Sequence, residues 1–120
     1  MNIYTVAIIG CGSIGANKPD HIDGPFTENI FTHAHAVFLH PRTELLALVD
    51  VDDERLEIAE DKWKPQMAFN SVLFFQQNPI KTDIVIVSVP TEFHYEVISL
   101  VLQNQPGLII AEKPFCNDYF

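Results

Sequence analysis

Apolar runs alternate along the chain with stretches in which apolar residues recur at helical spacing. Runs that are apolar throughout are typical of strands buried on both faces, as in parallel sheets. The pattern predicts five strands, at Ile3–Ile9, Glu44–Asp50, Met67–Phe69, Ile84–Val89 and Leu108–Ala111.

The segments between these strands predict helices. One covers Thr32–His40 and ends at Pro41, another is capped by Asp52 or Asp53, and a short one covers Ser71–Gln77. A last helix follows Pro90, with Thr91 as its predicted N-cap. The predicted buried positions of the second helix are Leu56, Ala59 and Trp63. Those of the last helix are Phe93, Val97, Leu100 and Val101. Alternating strands and helices predict a doubly wound parallel α/β sheet forming a single domain over residues 1–120.

The first strand runs directly into glycines spaced G-x-G-x-x-G, in the sequence Gly10-Cys11-Gly12-Ser13-Ile14-Gly15. In a dinucleotide-binding Rossmann domain the first glycine makes a tight turn and the second lets the backbone approach a pyrophosphate. The third allows close packing of a helix. Backbone N–H groups at the helix start, around Ser13 and Ile14, would hold the phosphate charge. Because the glycines follow a predicted strand, they indicate a dinucleotide site.

A loop interrupts the helix expected after the glycines. Pro19, Gly24 and Pro25 are incompatible with a continuous helix, so a loop is predicted from about Asn17 to Phe26, within an insertion that reaches Thr32. We expect this insertion to overhang the cofactor site. It also explains why Asp50 lies about 35 residues beyond Gly15, when the acidic residue that binds the ribose usually follows by about 20.

Asp50 ends the second strand, where its carboxylate could accept hydrogen bonds from both hydroxyls of the adenosine ribose. The same charge would repel a 2′-phosphate, and acidic residues at 52–54 add to it, with no arginine directly after Asp50. The sequence therefore favours NAD over NADP as cofactor. Alternatively, Asp50 only begins the turn into the next helix.

Further candidates lie at the predicted carboxyl ends of the later strands, where such sheets bind ligands. They are Val89, Pro90, His94, Glu112 and Lys113. Lys113 could hydrogen-bond a substrate hydroxyl and help move its proton, and Glu112 would keep it charged at rest. His94 could reach the nicotinamide ribose or the substrate. The alternatives are a surface lysine and a histidine that fills the first turn of its helix.

Composition narrows the classes of partner. A formal net charge of −9 argues against binding to nucleic acid or an anionic membrane, and no apolar run approaches the length of a membrane span. Two cysteines form no disulfide framework, which favours a reducing, cytoplasmic location. Histidines at 33, 35 and 40 do not share the spacing of a zinc site, so no metal is expected.

Four features together resemble the Gfo/Idh/MocA oxidoreductases. They are the stretch from Val6 to Gly15, the strand end at Asp50, the segment from Val87 to His94, and Glu112-Lys113-Pro114. The resemblance implies that the chain is the Rossmann domain that binds NAD or NADP. It also implies that Lys113 assists hydride transfer on a sugar or cyclitol.

Members of that family continue into a second domain that supplies most of the substrate pocket, so the resemblance implies a fragment that is inactive alone. An alternative is a regulatory domain that senses NAD(H) without turnover; Lys113 and His94 argue against it. A further alternative is a relic of the fold that binds nothing. Beyond Pro114 three aromatic residues fall within residues 115–120. We expect them to fold back on the domain or to form a homodimer, because rings of this size favour burial.

Overall fold

The computed structural model describes residues 2–12, 15–78 and 81–112. Its strands are β1 (Tyr4–Ile9), β2 (Thr43–Val49), β3 (Met67–Phe69), β4 (Ile84–Val87) and β5 (Leu108–Ala111). Its helices are α1 (His33–Leu39), α2 (Asp53–Trp63), α3 (Val72–Gln76) and α4 (His94–Leu102). A 3₁₀ turn at Thr91–Phe93 leads into α4.

The described strands form one parallel sheet in the order β3-β2-β1-β4-β5. Strand β1 lies in the middle, and the chain winds first to one side of it and then to the other. The point where this direction reverses lies between β1 and β4, which is where open α/β sheets bind ligands. The predicted doubly wound Rossmann fold is confirmed.

The central strands β1, β2 and β4 are buried on both faces of the sheet, which explains why they are almost entirely apolar. Side chains of α1 and α2 cover one face, where Trp63 packs with Ile8 and Leu48. Side chains of α3 and α4 cover the other, where Val97 packs with Ile9 and Val87. Successive residues of β1 therefore contribute to opposite cores.

Polar residues cap three of the helices, and Asp52 is one of the two residues predicted to cap α2. The side chains of Thr32, Asp52 and Ser71 accept hydrogen bonds from backbone N–H groups in the first turns of α1, α2 and α3. Thr91 does not cap α4, contrary to the prediction, because the chain first makes a 3₁₀ turn that begins at Thr91. Phe93 lies in that turn and is 46% exposed, so it does not belong to the buried face.

The inserted loop packs on helix α2, and residues 17–31 do not line the cleft at the carboxyl ends of the strands, contrary to the expectation that the insertion overhangs the cofactor site. The Nζ atom of Lys62 donates to the carbonyl of Lys18 at 2.7 Å and forms an ion pair with Asp20 at 3.1 Å. The indole N–H of Trp63 donates to the carbonyl of Ala16 at 2.8 Å. These contacts hold the start of the loop against the C-terminal end of α2.

A buried polar cluster of Asp23, Thr32 and His35 anchors the far end of the loop. Asp23 is fully buried, and its carboxylate accepts from the Thr32 hydroxyl at 2.6 Å, the Phe31 N–H at 2.7 Å and His35 Nδ1 at 2.8 Å. Among the described residues His35 Nε2 has no hydrogen-bond partner, so the tautomer protonated at Nδ1 satisfies the pair best. Burial raises the pKa of Asp23, but the hydrogen bonds from Thr32, Phe31 and His35 outweigh it and hold the pKa below its usual range.

The segment after Glu112 lies outside the described residues, and with it the aromatic residues that motivated the homodimer. Strand β5 is an edge of the described sheet. The homodimer therefore stays a prediction.

Candidate dinucleotide-binding site

A cleft of about 980 Å³ opens at the carboxyl ends of the strands. It is large enough for an extended ligand, since small-molecule sites usually enclose about 300–1,000 Å³. The ends of all five described strands contribute to it, through Gly10 and Gly12 after β1, Asp50 after β2, Asn70 after β3, Ser88 to Pro90 after β4, and Glu112 after β5. The structure thus brings together residues that are far apart in the sequence.

The glycine turn is closely packed at its first and third glycines and open at its second. Gly10 has φ +101°, and a Cβ there would lie 2.5 Å from the carbonyl oxygen of Ser88. A Cβ on Gly15 would lie 2.0 Å from the carbonyl oxygen of Gly10. A Cβ on Gly12 would meet nothing within 4 Å, although Gly12 lines the cleft. The two outer glycines are needed by the fold, and Gly12 leaves space that a bound group could use. Ser13 and Ile14 lie outside the described residues.

Asp50 connects the glycine turn to the end of β2. Its Oδ2 accepts from the Cys11 N–H at 2.7 Å, and its Oδ1 accepts from the Asp52 N–H at 2.8 Å. Asp50 is mostly buried yet still lines the cleft. Because a carboxylate offers about four acceptor positions, two remain for ligand hydroxyls. Asp50 does begin the turn into α2, as the alternative interpretation held. This position leaves its carboxylate compatible with ribose binding.

Cys11 lies beneath this turn and is not a nucleophile at neutral pH. Burial, and then the nearby Asp50 carboxylate, raise the pKa of its thiol to about 12. The thiol therefore stays protonated, and the residue packs as a small apolar side chain.

Arg55 is a cleft residue that the sequence reasoning missed. It lies in the first turn of α2 and lines the cleft, with its Nε 3.9 Å from Asp52 Oδ2. No arginine directly follows Asp50 in the sequence, but the fold brings Arg55 into the cleft lining beside Asp52. Arg55 thus offsets part of the negative charge on which the choice of NAD was based. The sequence could have indicated Arg55 as a cleft residue, because it falls in the first turn of the helix predicted to begin just after Asp50.

Apolar side chains with unusual exposure form part of the cleft wall. Val51 is 80% exposed, Leu73 47% and Phe93 46%, and all three line the cleft. Exposed apolar groups gathered in a concave site are typical of ligand-binding surfaces. Together with the open position at Gly12 and the free acceptor positions of Asp50, they fit an adenosine with its diphosphate.

The β4–β5 side of the cleft contains part of the predicted set. Val89, Pro90 and Glu112 line it. His94 is buried and does not line it; its Nε2 lies 3.0 Å from the carbonyl oxygen of Val89, which supports the alternative that it fills the first turn of α4. Lys113 follows Glu112 outside the described residues.

No cluster of three or more potential metal ligands occurs within residues 2–12, 15–78 and 81–112. In the same part of the chain no helix has the length and hydropathy needed to cross a bilayer.

Fold and cleft together define a dinucleotide-binding domain of the Rossmann class. Residues 4–119 match the family model described as "Oxidoreductase family, NAD-binding Rossmann fold", that of Gfo/Idh/MocA. The chain belongs to this family, as its motifs indicated. No curated protein sequence matches it.

Solved structures agree on the fold at low sequence identity. Scyllo-inositol dehydrogenase from Lactobacillus casei, with NAD(H) and scyllo-inositol bound, is 20% identical with a TM-score of 0.71. The WlbA dehydrogenase from Bordetella pertussis, in complex with NADH and UDP-GlcNAcA, is 22% identical with a TM-score of 0.74. KijD10 from Actinomadura kijaniata, a 3-ketoreductase in complex with NADP, is 20% identical with a TM-score of 0.73.

The similarity covers 98%, 96% and 98% of this chain, respectively. It covers only 30%, 30% and 32% of those proteins. The chain therefore spans about a third of the length of the structures it matches.

Proposed function

We propose that this chain is the cofactor-binding part of an NAD-dependent oxidoreductase that acts on a sugar, a cyclitol or a related hydroxy compound. The observation that carries the proposal is the convergence of Gly12, Asp50 and Glu112 on one cleft. Gly12 leaves room for a diphosphate and Asp50 has acceptor positions for ribose hydroxyls. Glu112 lies at the opposite end, beside the predicted catalytic lysine. A cytoplasmic location is part of the proposal.

In the proposed reaction a bound nicotinamide would supply the acceptor for the hydride that leaves the carbon carrying the substrate hydroxyl. The hydroxyl proton leaves with the help of Lys113, so an alcohol becomes a ketone and one proton is released. Glu112, the residue before Lys113 in the sequence, follows β5 and lines the cleft together with Val89 and Pro90, which supports this role for Lys113. The substrate pocket would come largely from a second domain, as the family resemblance implies.

Titration calorimetry with NAD⁺ and NADP⁺ tests the proposed function. We expect NAD⁺ to bind about tenfold more tightly, because carboxylates around Asp50 repel a 2′-phosphate and solvent screens most of that repulsion. Asp50→Asn is expected to narrow the difference and Arg55→Ala to widen it, since the two side chains carry opposite charges at the same end of the cleft. Equal or tighter binding of NADP⁺ would contradict the choice of cofactor. No binding of either dinucleotide would contradict the function.

The role of Lys113 is tested in a protein that contains both this domain and a substrate domain. Lys113→Ala is expected to lower kcat by about 100-fold or more, the usual contribution of a group that moves a proton. The Kd for NADH should stay within about twofold, because the lysine is proposed to act on the substrate hydroxyl. Lys64→Ala is a matched control, since Lys64 caps the far end of α2. A wild-type rate in Lys113→Ala would remove Lys113 from the mechanism.

A further inference from the structure

A contact between His33 and Glu112 joins the start of α1 to the end of β5. His33 Nε2 forms a hydrogen bond with Glu112 Oε1, although the two residues are 79 positions apart in the sequence. Both side chains are partly exposed, with 27% and 38% of their surfaces accessible. Glu112 lines the dinucleotide cleft, and His33 approaches it from outside the cleft.

The backbone around His33 is held on both sides. Thr32, the residue before it, caps α1 by accepting from the His35 N–H at 3.2 Å and donates to the buried Asp23. Ala34, the residue after it, donates its N–H to the carbonyl of Gly15 at 2.9 Å. His33 is therefore fixed both to the anchored loop and to the glycine turn.

The backbone of Glu112 is also fixed, so only its side chain can lose conformational freedom when a ligand binds. Its N–H donates to the carbonyl of Val87 at 3.2 Å, which continues the ladder between β4 and β5. A glutamate side chain has many rotamers, and holding it in one of them before a ligand arrives removes an ordering cost from binding. The contact with His33 supplies that restraint.

We propose that His33 is a positioning residue that holds the Glu112 carboxylate in place at the cofactor end of the cleft. The inference rests on the proposed function, because it assigns to Glu112 a contact with the bound dinucleotide. It adds that the inserted loop contributes to this end of the cleft without lining it, through Asp23, Thr32 and α1.

A double-mutant cycle on NADH binding to this chain tests the proposal, with Kd measured by NADH fluorescence. We expect His33→Ala and Glu112→Gln each to weaken binding about fivefold, a modest loss suited to a partly exposed pair. The double variant should bind no more weakly than either single one, because the two residues act as a unit. His33→Gln, whose side-chain amide can still donate, should recover most of the loss. His21→Ala, which removes an exposed histidine from the inserted loop, should bind like the wild type.

Wild-type affinity in His33→Ala overturns the proposal, and so do losses that simply add in the double variant. Absence of NADH binding to the wild-type chain would instead contradict the proposed function. In that case the ¹³C resonance of the Glu112 carboxyl group decides about His33. A resonance that shifts in His33→Ala and returns toward its original position in His33→Gln supports the positioning role, and an unchanged resonance overturns it.

Discussion

Gly15→Ala is expected to destabilise the domain by more than about 4 kcal/mol, or to prevent folding, while Gly12→Ala leaves the fold intact. The added Cβ at Gly15 would lie 2.0 Å from the carbonyl oxygen of Gly10 and 3.3 Å from the Ser88 hydroxyl. Neither Gly10 nor β4 can move aside without breaking the ladder between β1 and β4. Thermal and urea unfolding, followed by circular dichroism, measure the difference between the variants.

The comparison with Gly12→Ala separates folding from binding. Nothing lies within 4 Å of a Cβ at Gly12, so that variant should unfold like the wild type. Its methyl group would nevertheless occupy the cleft where a diphosphate is proposed to approach the backbone, and we expect NAD⁺ affinity to fall by roughly 30-fold or more. A stable Gly15→Ala would contradict the packing of the turn, and full NAD⁺ affinity in Gly12→Ala would contradict the proposed position of the diphosphate.

Asp23→Ala is expected to cost about 3–5 kcal/mol, because it removes the acceptor shared by three donors and each buried donor left unsatisfied costs about 1–3 kcal/mol. It would leave the Thr32 hydroxyl, the Phe31 N–H and His35 Nδ1 without their acceptor inside the protein. A loss of this size is a large fraction of the stability of a typical domain. The matched control is Asp20→Ala, which removes the exposed partner of Lys62 and should cost less than about 1 kcal/mol. Equal effects of the two substitutions in urea unfolding would contradict the anchoring role of Asp23.

The lowered pKa of Asp23 also predicts the direction of a pH effect. A carboxyl group whose pKa is lower in the folded state binds protons more weakly there than in the unfolded chain. Its contribution to stability is therefore complete above the unfolded value of about 4 and is lost as the pH falls through the folded value. Stability measured between neutral pH and acid should consequently fall less in Asp23→Ala than in the wild type.

The sequence predicted the sheet well because its signal is local. Strands buried on both faces must be apolar throughout, and the glycines and Asp50 directly follow such strands. Glu112 follows β5, an edge strand that is also apolar. Their meeting at one edge then follows from parallel topology. The exact ends of the helices and strands were harder to predict. Pro90 ends a strand and Thr91 can begin a helix, but neither residue distinguishes a following α-helix from a 3₁₀ turn.

Contacts made by side chains across distant segments could not be predicted. Asp23 looks like an ordinary turn residue, beside Gly24 and Pro25, and nothing local reveals that it is buried against His35. The pairing of His33 with Glu112 depends on where α1 starts relative to β5. The packing of the insertion could not be predicted either, because its composition indicates a loop but not which helix that loop contacts.

Trp63 is the one tryptophan in the sequence. Its ring is buried, with its centroid 5.2 Å from that of His35 and 5.7 Å from that of Phe38. Its indole N–H donates a hydrogen bond to the Ala16 carbonyl, just before the inserted loop. Its emission therefore comes from a single, defined environment, at the junction of α1, α2 and the loop. Release of the loop would bring water to the indole and shift its emission to the red. The protein thus contains its own optical reporter for the anchoring of this loop, which can be read at micromolar concentration without any label.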